Sequence, residues 1–270
     1  MDYGLRDKVA VVVGGGGAIA GEIASQLAAE GACVAVWDVS ADAAAGNADA
    51  ICGAGGRSLA AECDAADPSS VARALDATVA RFGTVDILVN GAGGSSPSCA
   101  TSDERKFFDI GLDALNDMWS ANYLTAVVPS QAVGRVFAEK GRGVILNISS
   151  VAGELPLTRV VGYSNSKAAV SSFTRWLAVY MATTCSPRIR VNALAPGFVL
   201  TELNRFLLVD QATGQPTQRG HTIISQVPMR RYGEPAEIAA VALFLVSDLA
   251  SFITGAVIPV DGGFTAFAGV

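Results

Sequence analysis

The sequence predicts an α/β fold: a doubly wound, seven-stranded parallel sheet with helices on both faces and a small lid. Three observations carry that expectation. Short apolar runs alternate with helix-period segments along nearly all of the 270 residues. The runs are continuously apolar rather than alternating, as strands buried on both faces are. Four consecutive glycines follow the first run, where a strand must turn sharply into a helix.

The first strand is 9–13, Val-Ala-Val-Val-Val, and Ile19, Ile23 and Leu27 mark one face of the helix after the glycines. A second strand at 33–37 leads to a helix at 41–52, and a third at 57–63 to a helix at 69–82. The fourth strand, 85–89, ends in Asn90-Gly91-Ala92-Gly93 and precedes a long helix over 112–140. A fifth strand at 143–148 and a helix at 163–183 follow, then strands at 189–194 and 257–260. Strand–helix alternation implies right-handed crossovers between parallel strands. No linker, repeat or low-complexity tract divides the chain, so residues 1–270 are expected to form one domain. Residues 94–111 and 197–229 interrupt the rhythm after predicted strand ends. Ligands bind at that end of open α/β sheets, so both segments are expected to wall or cover a substrate.

Composition narrows the function classes. The net charge is −6 and no Lys/Arg cluster could track a phosphate backbone, which argues against nucleic acid as a partner. Mean hydropathy is +0.40, yet no apolar stretch nears the roughly 20 residues of a membrane span. The first residues lack the apolar core of a signal peptide, and five cysteines without C-x-x-C spacing suit free thiols in a cytoplasm. A single histidine, His221, argues against a histidine metal site or a Ser-His-Asp hydrolase; no metal is expected.

The glycine turn suits a pyrophosphate, because small residues let backbone N–H groups and a helix N-terminus approach it. Candidate contacts are Gly14, Gly16, Gly17, Ala18 and Ile19. Asp38, ending the second strand, is placed to accept hydrogen bonds from both adenosine ribose hydroxyls. It would repel a 2′-phosphate and has no neighbouring Arg or Lys to offset this, so NAD is expected over NADP. Asp64 after the third strand is placed to meet the adenine. Asn90, Ala92 and Gly93 after the fourth are placed to line the adenosine ribose.

Tyr163 and Lys167 are four apart on a helix and can point into one cleft. A free tyrosine, with a pKa near 10, is a poor base at neutral pH, and a nearby ammonium or an oxidised nicotinamide would favour the phenolate. Ser150, just past the fifth strand, can donate to a substrate oxygen as negative charge develops on it. Asn122 lies where it could hold a water in a proton relay. These groups suit hydride transfer between a nicotinamide and a carbonyl or alcohol.

On these motifs the run from Val9 to Gly263 resembles the short-chain dehydrogenase/reductase family, single-domain type with a Rossmann fold. The matching residues are the glycine turn, 90–93, Asn122, 147–150, Tyr163 with Lys167, 192–197 and 260–263. The resemblance implies a tetrad of Ser150, Tyr163, Lys167 and Asn122, with Lys167 also on the nicotinamide ribose. It places Pro196, Gly197, Val199 and Thr201 against the nicotinamide, and implies a homotetramer. The sequence departs from the family turn, Thr-Gly-x-x-x-Gly-x-Gly, at Val13, Ala18 and Ala20. The added methyls would crowd the pyrophosphate, while the four consecutive glycines let the backbone adjust, so dinucleotide binding is still expected.

Residues 107–109, 157–159, 201–205 and 261–270 further resemble a subgroup of D-mannonate oxidoreductases, which interconvert D-mannonate and D-fructuronate with NAD(H). A sugar acid would suit Arg159, before the catalytic helix, and Arg205, in the lid, since guanidinium grips carboxylate through two parallel bonds. The alternatives are an NADH-linked reductase of another ketone, 3-oxoacyl or cyclic, and an NAD-binding sensor without chemistry. The apolar end, 264–270, is expected to pack on a neighbouring subunit.

Overall fold

A computed structural model describes residues 2–201, 205, 208–210 and 213–268. Seven parallel strands form one sheet in the order β3-β2-β1-β4-β5-β6-β7. They are β1 (Val9–Val13), β2 (Cys33–Asp38), β3 (Arg57–Glu62), β4 (Ile87–Asn90), β5 (Gly143–Ile148), β6 (Ile189–Pro196) and β7 (Val257–Val260). Every residue of β1, β4 and β6 is buried, or nearly so in β5, which is why these strands read as unbroken apolar runs.

The helices are α1 (Ala18–Ala29), α2 (Ala41–Gly53), α3 (Pro68–Phe82), α4 (Leu112–Trp119), α5 (Thr125–Lys140), α6 (Val161–Tyr180), α7 (Gln218–Gln226) and α8 (Pro235–Val246). Local chemistry starts and stops them. Ser40 caps α2 by accepting from the Ala43 N–H, and Asp67 caps α3 with Pro68 in the first turn. Gly83 and Gly141, both at positive φ, end α3 and α5. The sheet buries a core on each face. Ile23, Leu27, Val34 and Leu243 lie on one side; Trp37, Leu88, Phe137 and Ile145 lie on the other.

Three details differ from the expected layout. The long helix over 112–140 is divided by a π-turn, Ser120–Leu124, and the helix from Tyr163 closes in another, Met181–Cys185. Helix α8 is absent from the sequence-based layout. It is apolar at nearly every position because it is packed into the core, so no polar face marks it as a surface helix. Strand β4 begins at Ile87 rather than Val85; Asp86 just before it still bonds the Val9 carbonyl and the Val144 N–H through its backbone, while its carboxylate accepts from the Val9 N–H and the Lys140 ammonium. Among the described residues no helix is long and apolar enough to cross a membrane.

The strand order reverses between β1 and β4, and the chain leaves both on the same edge of the molecule. That reversal opens a crevice at the carboxyl ends of the strands. The glycine turn, the 90–94 segment and both insertions gather there.

Candidate active site

The turn after β1 is closed by its own hydrogen bonds. Gly14 and Gly15 donate to the Trp37 carbonyl at 2.7 and 3.1 Å, and Gly17 donates to Gly14 at 3.0 Å. Gly16 donates to a carboxylate oxygen of Asp38 at 3.0 Å. The predicted anion donors Gly14, Gly16 and Gly17 thus have their N–H groups occupied, by Trp37, Asp38 and Gly14 respectively. The first-turn N–H groups of Ala18, Ile19 and Ala20 remain, since no side chain caps α1 and no earlier carbonyl takes them. Those three donors, with the positive end of α1, form an anion seat.

Gly14 has φ +71°, and a Cβ there would lie 2.7 Å from the Ala92 nitrogen. A side chain is excluded on both counts. The expected crowding by methyls resolves differently at each position. Val13 is buried in the core. Ala20 is buried against Gly91, where a Cβ would come within 2.6 Å of the Ala20 methyl. Only Ala18 is exposed at the mouth of the seat.

Asp38 ends β2 as expected; its other carboxylate oxygen accepts from Ser40 N–H at 3.0 Å. Asp64 lies two residues beyond β3 and accepts from Ala66 N–H at 2.9 Å. Asn90 requires correction. Its amide turns into the core rather than towards a ribose, donating to Asn147 at 2.8 Å, Ser130 at 3.0 Å and the Ala126 carbonyl at 3.3 Å. It sits inside β4, beside Asn147 of β5, so the pleat and not its place near the strand end decides its direction. Ala92, half-buried, packs on the core, while Gly93 faces the crevice at φ +140°.

Strand β5 and helix α6 bring the chemical groups together. Ser150 begins a short 3₁₀ turn, Val151–Gly153, accepting from Ala152 N–H at 3.1 Å. Its hydroxyl lies near enough to the Tyr163 phenol to favour the phenolate form. Lys167 is 3 % exposed; its ammonium donates to the Ile148 carbonyl at 2.8 Å and lies 5.7 Å from the Tyr163 ring centre. Burial pushes the Tyr163 phenol above its ordinary value, with the Ser150 hydroxyl pulling the other way. Burial brings Lys167 down to about 8. Desolvation is the larger influence on the phenol and outweighs the Ser150 hydroxyl.

Asn122 lies in the π-turn, a distortion frequent at functional sites. Its side chain is locked to backbone, donating to Gly94 at 2.9 Å and Met118 at 3.1 Å and accepting from Gly94 N–H at 3.0 Å. A Cβ on Gly93 would lie 2.5 Å from the Asn122 oxygen and 3.2 Å from the Lys167 nitrogen. Glycine is thus required where the 90–94 segment meets the site. Behind it, the Ser149 hydroxyl reaches the Lys167 carbonyl at 2.9 Å and Ser171 at 2.7 Å, and Ser171 donates to Glu154 at 2.7 Å.

Pro196 ends β6, and Gly197 donates to Val260 at 2.9 Å, with no room for a Cβ against Asp261. Val199 bridges to Gly233, and the Thr201 carbonyl accepts from Arg205 N–H at 2.9 Å. Residues 202–204 of the lid motif and 269–270 of the tail lie outside the described residues; Phe264 packs edge-on against Phe198, 5.2 Å between centres. Arg159 is exposed, at φ +77°, and its carbonyl accepts from Thr101 N–H at 2.8 Å, so the first insertion is tied to the loop before α6. Arg205 is exposed, and His221 lies exposed on α7. Asn47, Ser149 and Ser171 were not anticipated from the sequence. Each acts through contacts with residues distant along the chain, so no local pattern marks it.

An anion seat after β1 beside a carboxylate at the end of β2, with a Ser–Tyr–Lys group two strands further on after β5, is the arrangement of one family. A family model described as enoyl-(acyl carrier protein) reductase matches residues 15–265. The chain belongs to the short-chain dehydrogenase/reductase family. It is an oxidoreductase acting on alcohol groups. A candidate D-mannonate oxidoreductase from Haemophilus influenzae, solved with bound NAD, is 37% identical with a TM-score of 0.92, over 98% of both chains. A 7α-hydroxysteroid dehydrogenase solved with NADH and 7-oxoglycochenodeoxycholic acid is 34% identical, TM-score 0.85, over 97% of each chain. The D-threitol dehydrogenase of Mycolicibacterium smegmatis is 36% identical over 98% of this chain and 95% of its own.

Proposed function

We propose that this oxidoreductase transfers a hydride between NAD(H) and a secondary alcohol or ketone of a sugar acid, such as D-mannonate and D-fructuronate. The observation that carries the chemistry is Lys167, buried beside the Tyr163 ring and held by the Ile148 carbonyl, with the Ser150 hydroxyl near the phenol. NAD(H), when bound, gives or takes the hydride. Ala18 and Ile19 would hold its pyrophosphate and Asp38 its adenosine ribose. Gly93, Pro196, Gly197, Val199 and Thr201 would border the nicotinamide half. Ser150 would hold the substrate oxygen, and Tyr163 would pass it a proton in reduction or take one in oxidation. Lys167, as a cation at neutral pH, would stabilise the phenolate form. Asn122, its side-chain amide locked on Gly94, would shape the site from there rather than touch the substrate.

The sugar-acid reading draws support from the candidate D-mannonate oxidoreductase and from Arg159, in the loop before α6, and Arg205, on the second substrate-side segment. A second reading, a neutral polyol, has the D-threitol dehydrogenase in its favour. We extend the proposal to a single-domain subunit in a cytoplasmic homotetramer of carbohydrate metabolism. Exposed Trp119, Trp176 and Tyr180 on neighbouring helices form an aromatic face that suits subunit contact.

The test is NADH and NADPH formation across sugar acids and polyols, with Tyr163→Phe as control. Turnover of a sugar acid with NAD, lost in the variant, supports the reading. If Arg159→Ala and Arg205→Ala weaken neutral polyols as much as acids, the carboxylate grip is wrong.

A further inference from the structure

The peptide joining Gly15 to Gly16 is held on both sides by side chains from outside the turn. Its N–H donates to Asp38, as described above. Its carbonyl accepts from the side-chain amide of Asn47, on α2, at 2.6 Å. The same amide lies 3.3 Å from the Gly21 carbonyl, and its oxygen accepts from Ser25 at 3.3 Å. A Cβ on Gly21 would lie 3.0 Å from the Gly15 oxygen and 3.1 Å from the Asn47 nitrogen. Asn47 therefore sits in a fitted seam between α2, the turn and α1.

Resting on the reading that this turn seats the NAD pyrophosphate, we propose that Asn47 is a positioning residue for the cofactor. A peptide between two glycines can rotate at little cost, since neither carries a Cβ. Rotated, it would turn the Gly15 carbonyl towards the Asp38 carboxylate and remove the Gly16 N–H from it. The first sets oxygen against oxygen, and the displaced N–H would meet the Asn47 amide, donor against donor. Asn47 opposes the rotation because only a donor can occupy its place against the Gly15 carbonyl. Its role grows when Asp38 turns to ribose hydroxyls, because the N–H side of the peptide is then held less firmly. The fixed turn keeps the first N–H groups of α1 aimed at the phosphates, a form of preorganisation that lowers the cost of binding.

The experiment measures NADH binding by fluorescence titration in wild type, Asn47→Leu and Asn47→Asp. Leu keeps the volume without the donor; Asp keeps the shape but presents an acceptor to the Gly15 carbonyl. Wild-type binding first establishes that the turn takes the dinucleotide at all, so failure there is failure of the underlying reading. Given that binding, Kd should rise about tenfold in Asn47→Leu and further in Asn47→Asp. In turnover, the KM for NAD should rise with it while kcat falls less than threefold and the KM for the alcohol is unchanged. Two results overturn the proposal. One is NADH binding within twofold of wild type in both variants. The other is a parallel loss in kcat, alcohol KM and melting temperature, the mark of a merely structural asparagine.

Discussion

Replacing Lys167 by Met should abolish turnover and make the folded chain more stable at neutral pH. Lys167 is 3 % exposed, and burial lowers it from 10.5 to about 8. At about 1.4 kcal/mol per pH unit, carrying that proton in the folded state costs about 3 kcal/mol. The cost is complete below pH 8, where both folded and unfolded chains hold the proton. It declines between about 8 and 10.5, where only the unfolded lysine holds it, and is gone above that. Methionine has similar length and no charge, but leaves the Ile148 carbonyl without the ammonium at 2.8 Å. An unmet buried acceptor costs about 1–3 kcal/mol, leaving a net gain of up to about 2 kcal/mol at pH 7. For a chain of this size the melting temperature should rise by up to roughly 8 °C. Thermal melts of both proteins at pH 7 and 9.5 provide the assay. At pH 9.5 the advantage should shrink by about 2 kcal/mol. A variant melting below wild type by the same margin at both values would refute the argument.

Three further changes have defined outcomes. Gly93→Ala puts a methyl 2.5 Å from the Asn122 oxygen at φ +140°, so kcat/KM should fall at least tenfold, with a stability loss of about 1–3 kcal/mol in urea unfolding. Arg190, 7 % exposed, donates to the carbonyls of Leu245, Ser247 and Ile253 around the end of α8. Arg190→Met should cost about 3 kcal/mol or more, a fall of roughly 6–12 °C by calorimetry. Asp38→Ser removes the carboxylate proposed to hold the ribose while keeping an acceptor, so the ratio of kcat/KM for NAD to that for NADP should drop at least tenfold; an unchanged ratio would show that discrimination lies elsewhere.

The fold was legible because parallel strands covered on both faces leave unbroken apolar runs, and because Gly14 to Gly17 can follow only a strand that turns sharply. What escaped had no local signature. Helix α8 lies in the core and lacks the polar stripe that reveals a surface helix. Asn90 stood at the right place along β4, but its amide belongs to a buried polar ladder with Asn147 and Ser130, and Asn147 passes it on to Thr174. Chain position near a strand end does not determine which way the pleat faces. Asn47 meets Gly15 across 32 residues, a contact made by tertiary packing alone. Tyr163 and Lys167 were legible as a pair, yet the sign of their electrostatics was not. Helical spacing predicts proximity, whereas burial determines that Tyr163 is pushed up and Lys167 down.

Those two directions set the pH dependence of the chemistry. A phenol held above its ordinary range stays protonated at neutral pH, which suits a proton donor and hence ketone reduction. Oxidation needs the same oxygen without its proton, and the positive charge of bound NAD⁺ is the added influence that would favour that form. Lys167 bears on both directions because its charge is lost as pH rises through about 8. Reduction needs the phenol protonated at the start and the cation beside the phenolate that forms. Its kcat/KM should therefore be level below about pH 7 and fall through about 8. Oxidation should be slower at neutral pH and gain from alkali until loss of the Lys167 proton offsets the gain. Steady-state kcat/KM from pH 6 to 10, in both directions on one substrate pair, tests this. A reduction profile that climbs through pH 8 would mean that Lys167 works as the neutral amine, and the assignment of its charge would have to be reversed.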